Sequence, residues 1–141
     1  MKSVTLIRPK DDFNQGISYK IYVGNNLLNE LKNGEEKTIE IPSELEEQSL
    51  KAEVYKWSGS ERIELRSLSD RERLYVKGNK FLNTKTLFII VFLNFMGILI
   101  FGYGKENIIV KNIGLGLSTL SILFIFGIIV FGRNKWLNIK K

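Results

Sequence analysis

Hydrophobic and polar residues are distributed very differently in the two halves of this 141-residue chain. In residues 1–80, apolar positions alternate with polar ones over short stretches, and this period of two predicts β-strands. Polar turns containing Gly, Asn, Ser or Pro separate the stretches. About seven short antiparallel strands at roughly ten-residue spacing favour a small all-β domain with a sandwich-like arrangement.

The bounds of the alternating stretches and two turn regions refine this prediction. We expect strands at residues 4–8, 17–23, 27–31, 37–41, 50–57, 62–66 and 74–76. Asn33-Gly34 is typical of a tight hairpin, because both residues tolerate the positive φ that such turns require. The polar run after Pro42 is compatible with a loop or with one helical turn capped by Ser43 and Glu46.

The second half of the chain is dominated by two long apolar segments. Residues 86–103 and 112–131 contain no charged side chain. At 1.5 Å per residue they would extend roughly 27 and 30 Å, which matches a hydrocarbon core of about 30 Å. We therefore predict a transmembrane hairpin. The remaining parts would be a juxtamembrane joint, an external loop and a basic cytoplasmic tail, at residues 81–85, 104–111 and 132–141.

The charges favour one orientation in the membrane. Residues 1–85 hold 15 of the 21 Lys and Arg and 14 of the 15 Asp and Glu, so this half is nearly neutral. Basic residues flank the outer ends of both spans, which predicts that the N- and C-termini are cytoplasmic in a multi-pass protein of the cell membrane. No apolar segment of signal-peptide length precedes the β domain, which leads to the same expectation. The basic tail would lie on an anionic leaflet.

Several kinds of chemistry have no counterpart in the sequence. The chain has no Cys and no His, so disulfides, Cys/His metal sites and His-based catalysis are absent. The acidic cluster Glu44, Glu46 and Glu47 has the pattern of a solvated loop. A nearly neutral soluble half also lacks the basic face that nucleic acids require. We expect no enzymatic activity, no cofactor, no metal and no nucleic-acid partner.

Two groups of residues are candidates for contacts. Tyr55 and Trp57 would share one strand face near Arg62 and Arg66, and aromatic and Arg side chains dominate binding hot spots. If these four are exposed, they would form a recognition patch, whereas the aromatics would otherwise belong to the core or touch the membrane. In the spans, small residues and one amide predict close helix–helix contact. The residues concerned are Asn94, Gly114, Ser118 and Ser121.

One part of the soluble half resembles a known type of domain. Residues 19–42 read YKIYVGNNLLNELKNGEEKTIEIP, which is a strand, a polar turn, a short strand, an Asn-Gly-Glu turn and a strand ending at Pro42. This order is similar to that of small bacterial PEGA-like β domains. The resemblance implies a membrane-tethered β-sandwich and identifies no ligand. The chain departs from the pattern after Pro42, where Ser43 and Glu44 replace the Pro-Gly turn common in such domains.

Two functional hypotheses follow. The first is a membrane-anchored, non-enzymatic binding or scaffolding module that presents a β domain to a protein partner at the cytoplasmic face. The alternative is an oligomerising two-span hairpin that acts on the membrane and is regulated by the β domain. In the second hypothesis, Gly114, Ser118 and Ser121 would join separate hairpins instead of packing a single one.

Overall fold

A computed structural model describes residues 2–56, 58–104 and 106–141. The described chain forms nine strands: β1 Lys2–Ile7, β2 Tyr19–Val23, β3 Asn26–Leu31, β4 Glu36–Ile41, β5 Ser49–Tyr55, β6 Ser58–Gly59, β7 Ile63–Glu64, β8 Glu72–Gly78 and β9 Leu137–Lys140. Between β8 and β9 lie the helices α1, Thr86–Tyr103, and α2, Ile108–Phe131. A π-helical turn, Phe81–Lys85, leads directly into α1.

The strands form two sheets. One has the order β4-β1-β8-β9, and the other has the order β3-β2-β5-β6, with β7 also paired to β5. The β-rich character predicted from the alternation is therefore confirmed. The prediction of purely antiparallel strands was wrong, because β1 and β8 pair in parallel. Alternation identifies strands but carries no information on the direction of a partner distant in the sequence.

Buried residues from both sheets form a single hydrophobic core. The alternating positions of β2, β4 and β5 face inward as the period of two predicted. On β2, Tyr19, Ile21 and Val23 have no exposed surface. The first sheet contributes Val4, Leu6, Leu74 and Val76, which are also fully buried.

The two Gly turns have different roles. Gly24, with φ +59°, begins a two-residue loop that joins β2 and β3 into a hairpin. Gly34 also has a positive φ, of 76°, as the Asn-Gly pattern requires. The strands that flank it, β3 and β4, nevertheless belong to different sheets. The prediction that they pair was wrong, because a turn residue fixes local backbone geometry and does not choose the strand partner.

The run after Pro42 contains one short 3-10 turn, Ser43–Leu45, and Pro42 occupies its N-cap. No side chain caps this turn, so the Ser43–Glu46 capping box does not form.

Both helices are long and apolar enough to cross a membrane. Helix α1 has the bounds that the apolar run predicted, whereas α2 begins four residues earlier than expected. The reason is a cap, because the Asn107 side chain accepts hydrogen bonds from the backbone N–H groups of Ile109 and Val110. Only 11% of the most apolar stretch of each helix is buried, so most of the apolar surface faces outward.

The C-terminal residues do not form a free tail. Leu137–Lys140 is β9, which pairs antiparallel with β8 at the edge of the first sheet. The predicted basic tail therefore ends as part of the β domain, and Leu137 is 1% exposed in its core. This strand was not predicted from the sequence, because it is four residues long and lies among basic residues like those of a juxtamembrane segment.

Candidate functional site

The hairpin is attached to the β domain at the open end of the β8–β9 ladder. Gly78, the last residue of β8, is paired with Leu137, the first residue of β9. Asn79 joins the two chain segments, because its backbone N–H donates to the carbonyl of Trp136 at 2.8 Å. Its side-chain Nδ2 donates to the carbonyl of Lys135 at 3.0 Å, and its Oδ1 accepts from the backbone N–H of Phe81 at 3.1 Å. One residue thus fixes the start of the helical segment against the end of the chain.

A second amide extends this attachment into the β domain. Asn83 lies one helical turn after Asn79, and its Nδ2 donates to the carbonyls of Asn79 and Trp136. Its Oδ1 accepts from Nδ2 of Asn14 at 3.0 Å. Asn14 is 5% exposed and lies in the loop between β1 and β2. The contact therefore connects the first helical turns to the interior of the domain.

Behind Asn14 lies a buried ionic cluster. The Arg8 side chain is fully buried and contacts Asp11 at 3.3 Å. Its guanidinium also donates to the carbonyls of Ile17, Leu31 and Asn14 and lies 3.5 Å from the centre of the Tyr19 ring. A buried cation is tolerated only with such partners, because the cost of removing it from water is several kcal/mol. The cluster therefore fixes the loop that carries Asn14.

Tyr19 completes the cluster with its hydroxyl group. The hydroxyl donates to Asp11 Oδ2 at 2.8 Å and accepts from Asn14 Nδ2 at 3.2 Å. Burial raises the pKa of Tyr19 to about 12, with the Asn14 bond acting in the opposite direction and Asp11 adding to the rise. The phenol is thus a neutral structural group near neutral pH, without the lowered pKa that would suit a catalytic base.

A cavity of about 470 Å³, which we call the junction cavity, opens beside Asn14 and Asn83, between the β domain and the hairpin. Its volume lies within the range of about 300–1,000 Å³ typical of small-ligand sites. The helices supply an apolar wall, which consists of Leu82, Leu87, Ile90, Ile125, Ile128 and Ile129. The domain side supplies Phe13, Tyr55, Trp136 and Asn14, and the first turns of the helical segment supply the other two polar residues, Asn83 and Thr86.

The polar groups that line this cavity are uncharged. Among the described residues, amides, hydroxyls and the indole of Trp136 supply its polar groups, and no acidic or basic side chain lines it. In the part of the chain that the structure describes, no three metal-ligating side chains come close enough to hold a metal ion. An apolar cavity with a few polar groups at one edge suits an amphiphilic ligand.

The predicted recognition patch is divided in the structure. Tyr55 is 41% exposed and lines the junction cavity at the end of β5. Arg62 and Arg66 line a separate surface depression near the start of β5, where Arg66 forms an exposed ion pair with Glu47. Since β5 has seven residues, its two ends are roughly 20 Å apart. Trp57 lies outside the described residues.

The predicted helix-contact residues are brought together within a single hairpin. Asn94 Nδ2 donates to Ser121 Oγ at 2.5 Å. Gly114 and Ser121 are buried against α1, and a Cβ added at Gly97 would lie 2.4 Å from Ser118 Oγ. Small residues therefore allow the backbones of α1 and α2 to approach closely.

The side chains that join the hairpin to the β domain were not predicted from the sequence. Asn79 and Asn83 are spaced by four residues just before an apolar run, which places both on one face of a helical turn. That spacing is the one signal that pointed to them. Arg8 and Asn14 gave none, because an isolated Arg or Asn is usually solvated, whether it ends a predicted strand or lies in a loop.

Comparisons with models of protein families, with curated proteins and with solved structures gave no significant match. The resemblance of residues 19–42 to PEGA-like domains therefore stays a prediction.

Proposed function

We propose that this chain is a membrane-anchored, non-enzymatic binding or scaffolding module whose β domain is presented at the cytoplasmic face. The observation that carries the proposal is the insertion of the hairpin between β8 and β9, two paired strands of one sheet. An anchor joined through a single flexible linker would let the domain move freely. Two connections and the Asn79 and Asn83 bonds hold it at a fixed position beside the hairpin.

The outward apolar surface supports a place in the bilayer. Side chains such as Phe88, Ile98, Leu123 and Phe126 are each at least 65% exposed. Soluble monomers rarely expose contiguous apolar patches larger than a few hundred Å². A bilayer covers this surface, and helices satisfy their own backbone hydrogen bonds there.

The β8–β9 pairing also bears on topology. Because Gly78 and Leu137 are paired, the start of α1 and the end of α2 must lie on the same side of a membrane that the hairpin crosses. That side carries Lys80, Lys85, Arg133 and Lys135, whereas the loop end of the hairpin carries Lys105 and Lys111, partly offset by Glu106. The excess of basic residues favours the cytoplasmic side for the β domain.

In-cell cross-linking of the tagged full-length protein, followed by mass spectrometry, tests the binding role. We expect cross-links that join lysines of the β domain, such as Lys20 or Lys56, to one other protein. A matched chain with Asp11→Ala, compared at a temperature at which the loss of the carboxylate beside Arg8 unfolds its β domain, should lose these links if the folded domain carries the binding surface.

Two outcomes would contradict the proposed binding module. Links only between copies of this chain, formed through the hairpin, would contradict the module and favour the oligomerising hairpin. Identical links in the wild-type and Asp11→Ala proteins, with the domain unfolded in the variant, would show that the β domain is not the binding element.

A further inference from the structure

The junction cavity lies at the depth of the membrane interface. Ile90 is four residues after the start of α1, and Ile125 is six residues before the end of α2. At 1.5 Å per residue, the apolar wall extends about 6–9 Å into each helix. The headgroup region adds about 5–8 Å on each side of the hydrocarbon core. The cavity therefore bridges the headgroups and the first part of the acyl chains.

The polarity of the lining changes along this direction. The wall within the helices is aliphatic, whereas Asn83, Thr86 and Asn14 lie at the domain end. Trp136 and Tyr55 also line the domain end, and aromatic residues of these types favour the interface. A ligand that fits this order has an apolar chain and a polar head.

The surrounding charge is positive. Lys80, Lys85, Arg133 and Lys135 are exposed at the ends of the helical segment. Residues 79–141 contain one acid, Glu106, which lies at the opposite end of the hairpin. The neighbouring loop of the β domain carries Lys10, Asp11 and Asp12, and Asp11 is already paired with Arg8. The positive excess thus comes from the helix ends.

We propose that this cavity binds one anionic phospholipid from the surrounding leaflet. One of its two acyl chains lies along the wall formed by Leu87, Ile90 and Ile129. Its headgroup lies at the domain end, near the basic residues that follow α2. The proposal rests on the proposed function in one respect, because the hairpin must be in a bilayer for the cavity to meet a lipid.

Native mass spectrometry of the full-length protein released from nanodiscs tests this binding. The nanodiscs contain equal amounts of phosphatidylglycerol and phosphatidylcholine with the same acyl chains. We expect one phosphatidylglycerol to be retained per chain, with a preference of at least about fivefold, the effect of a single Lys or Arg near an anionic lipid. Equal retention of both lipids would overturn the proposal.

Two pairs of variants locate the lipid. Ile129→Trp extends a larger side chain into the cavity and blocks part of its apolar wall, whereas Val130→Trp places the same side chain at a neighbouring exposed residue outside the lining. Retention should be lost in the first variant and kept in the second. If Ile129→Trp does not fold, Leu87→Trp with Phe88→Trp as its control makes the same comparison on α1. Retention by both cavity variants would place the lipid elsewhere and contradict the proposal.

A third pair tests the headgroup. Replacing both Arg133 and Lys135 by Gln should reduce the preference for phosphatidylglycerol towards equality, whereas Lys111→Gln at the other end of the hairpin should not change it. An unchanged preference in the double variant would overturn the proposed headgroup position. Since these variants leave the spans intact, loss of lipid selectivity is distinguishable from failure of the hairpin to cross the membrane, which cysteine labelling detects separately.

Discussion

Replacing Leu137 by alanine tests whether the C-terminal strand is part of the β domain. Leu137 is 1% exposed and belongs to the core shared by both sheets. Leu→Ala substitutions at such sites cost about 2–5 kcal/mol, from lost transfer free energy and from the cavity that remains. Small domains have a free energy of unfolding of about 5–15 kcal/mol, so this change removes a large fraction.

Urea titration of the full-length protein in detergent micelles measures the effect. Tryptophan fluorescence reports on unfolding, because one of the two tryptophans, Trp136, directly precedes β9. With a urea dependence of about 1.5 kcal/mol/M, a loss of about 3 kcal/mol lowers the midpoint by about 2 M. The micelle should keep the hairpin folded, so that the transition reports on the β domain.

Asn138→Ala is the matched control, because Asn138 lies on the same strand and is exposed. Exposed substitutions of this kind usually change stability by less than about 0.5 kcal/mol. If Leu137→Ala lowers the midpoint no more than Asn138→Ala does, β9 does not contribute to the core, and the insertion of the hairpin into the domain is refuted.

Three further substitutions test the buried ion pair, the Tyr19 hydroxyl and the hydrogen bond between the helices. Asp11→Ala leaves the buried Arg8 cation without its carboxylate, so the same titration should show a loss of about 3–5 kcal/mol, and a loss below about 1 kcal/mol would contradict the role of the pair. Because the pKa of Tyr19 is raised from 10.0 to about 12, the stability it contributes is complete below pH 10 and is lost as the pH rises towards 12. Tyr19→Phe should lack this alkaline phase in urea midpoints measured against pH, and an identical phase in both proteins would assign it to another group. Asn94→Val removes the hydrogen bond to Ser121 and should destabilise the hairpin by about 0.6–2 kcal/mol, seen as faster hydrogen exchange of helix amides, whereas unchanged exchange would show that the bond contributes nothing.

The elements that the sequence predicted best are those with a long or regular pattern. The uncharged run that forms α1 has the predicted bounds, and Leu50, Ala52 and Val54 of β5 face inward as their alternation required. These features depend on local periodicity, which the chain displays directly.

The features that were missed depend on partners distant in the sequence. β9 has four residues, and its pairing with β8 spans nearly sixty residues of intervening chain. The turn at Asn33 and Gly34 forms as predicted, yet its amide contacts the backbone of Asp11 and its flanking strands separate into two sheets. Local turn chemistry specifies φ and ψ, whereas the choice of sheet depends on which apolar faces the whole chain can bury together.

The candidate site was predicted least well. The hydrogen bond between Asn94 and Ser121 joins two residues that were predicted to lie at the helix–helix contact, because an antiparallel hairpin with a short loop has a nearly fixed register. The junction cavity, in contrast, combines residues from a β-domain loop, both helices and the segment before β9. Its position depends on the attachment of the hairpin through Asn79 and Asn83, which no single stretch of sequence displays.

Labelling of single cysteines with a membrane-impermeant maleimide tests whether the hairpin crosses a membrane and whether β8 and β9 lie on one side of it. The natural chain has no cysteine, so Glu44→Cys on the β domain, Glu106→Cys in the loop and Asn138→Cys on β9 can each be examined alone in intact cells. We expect that position 106 is labelled from outside and that positions 44 and 138 react only after the cells are permeabilised. Labelling of positions 44 and 138 from opposite sides of the membrane would contradict this expectation, because β8 and β9 could not then belong to one sheet.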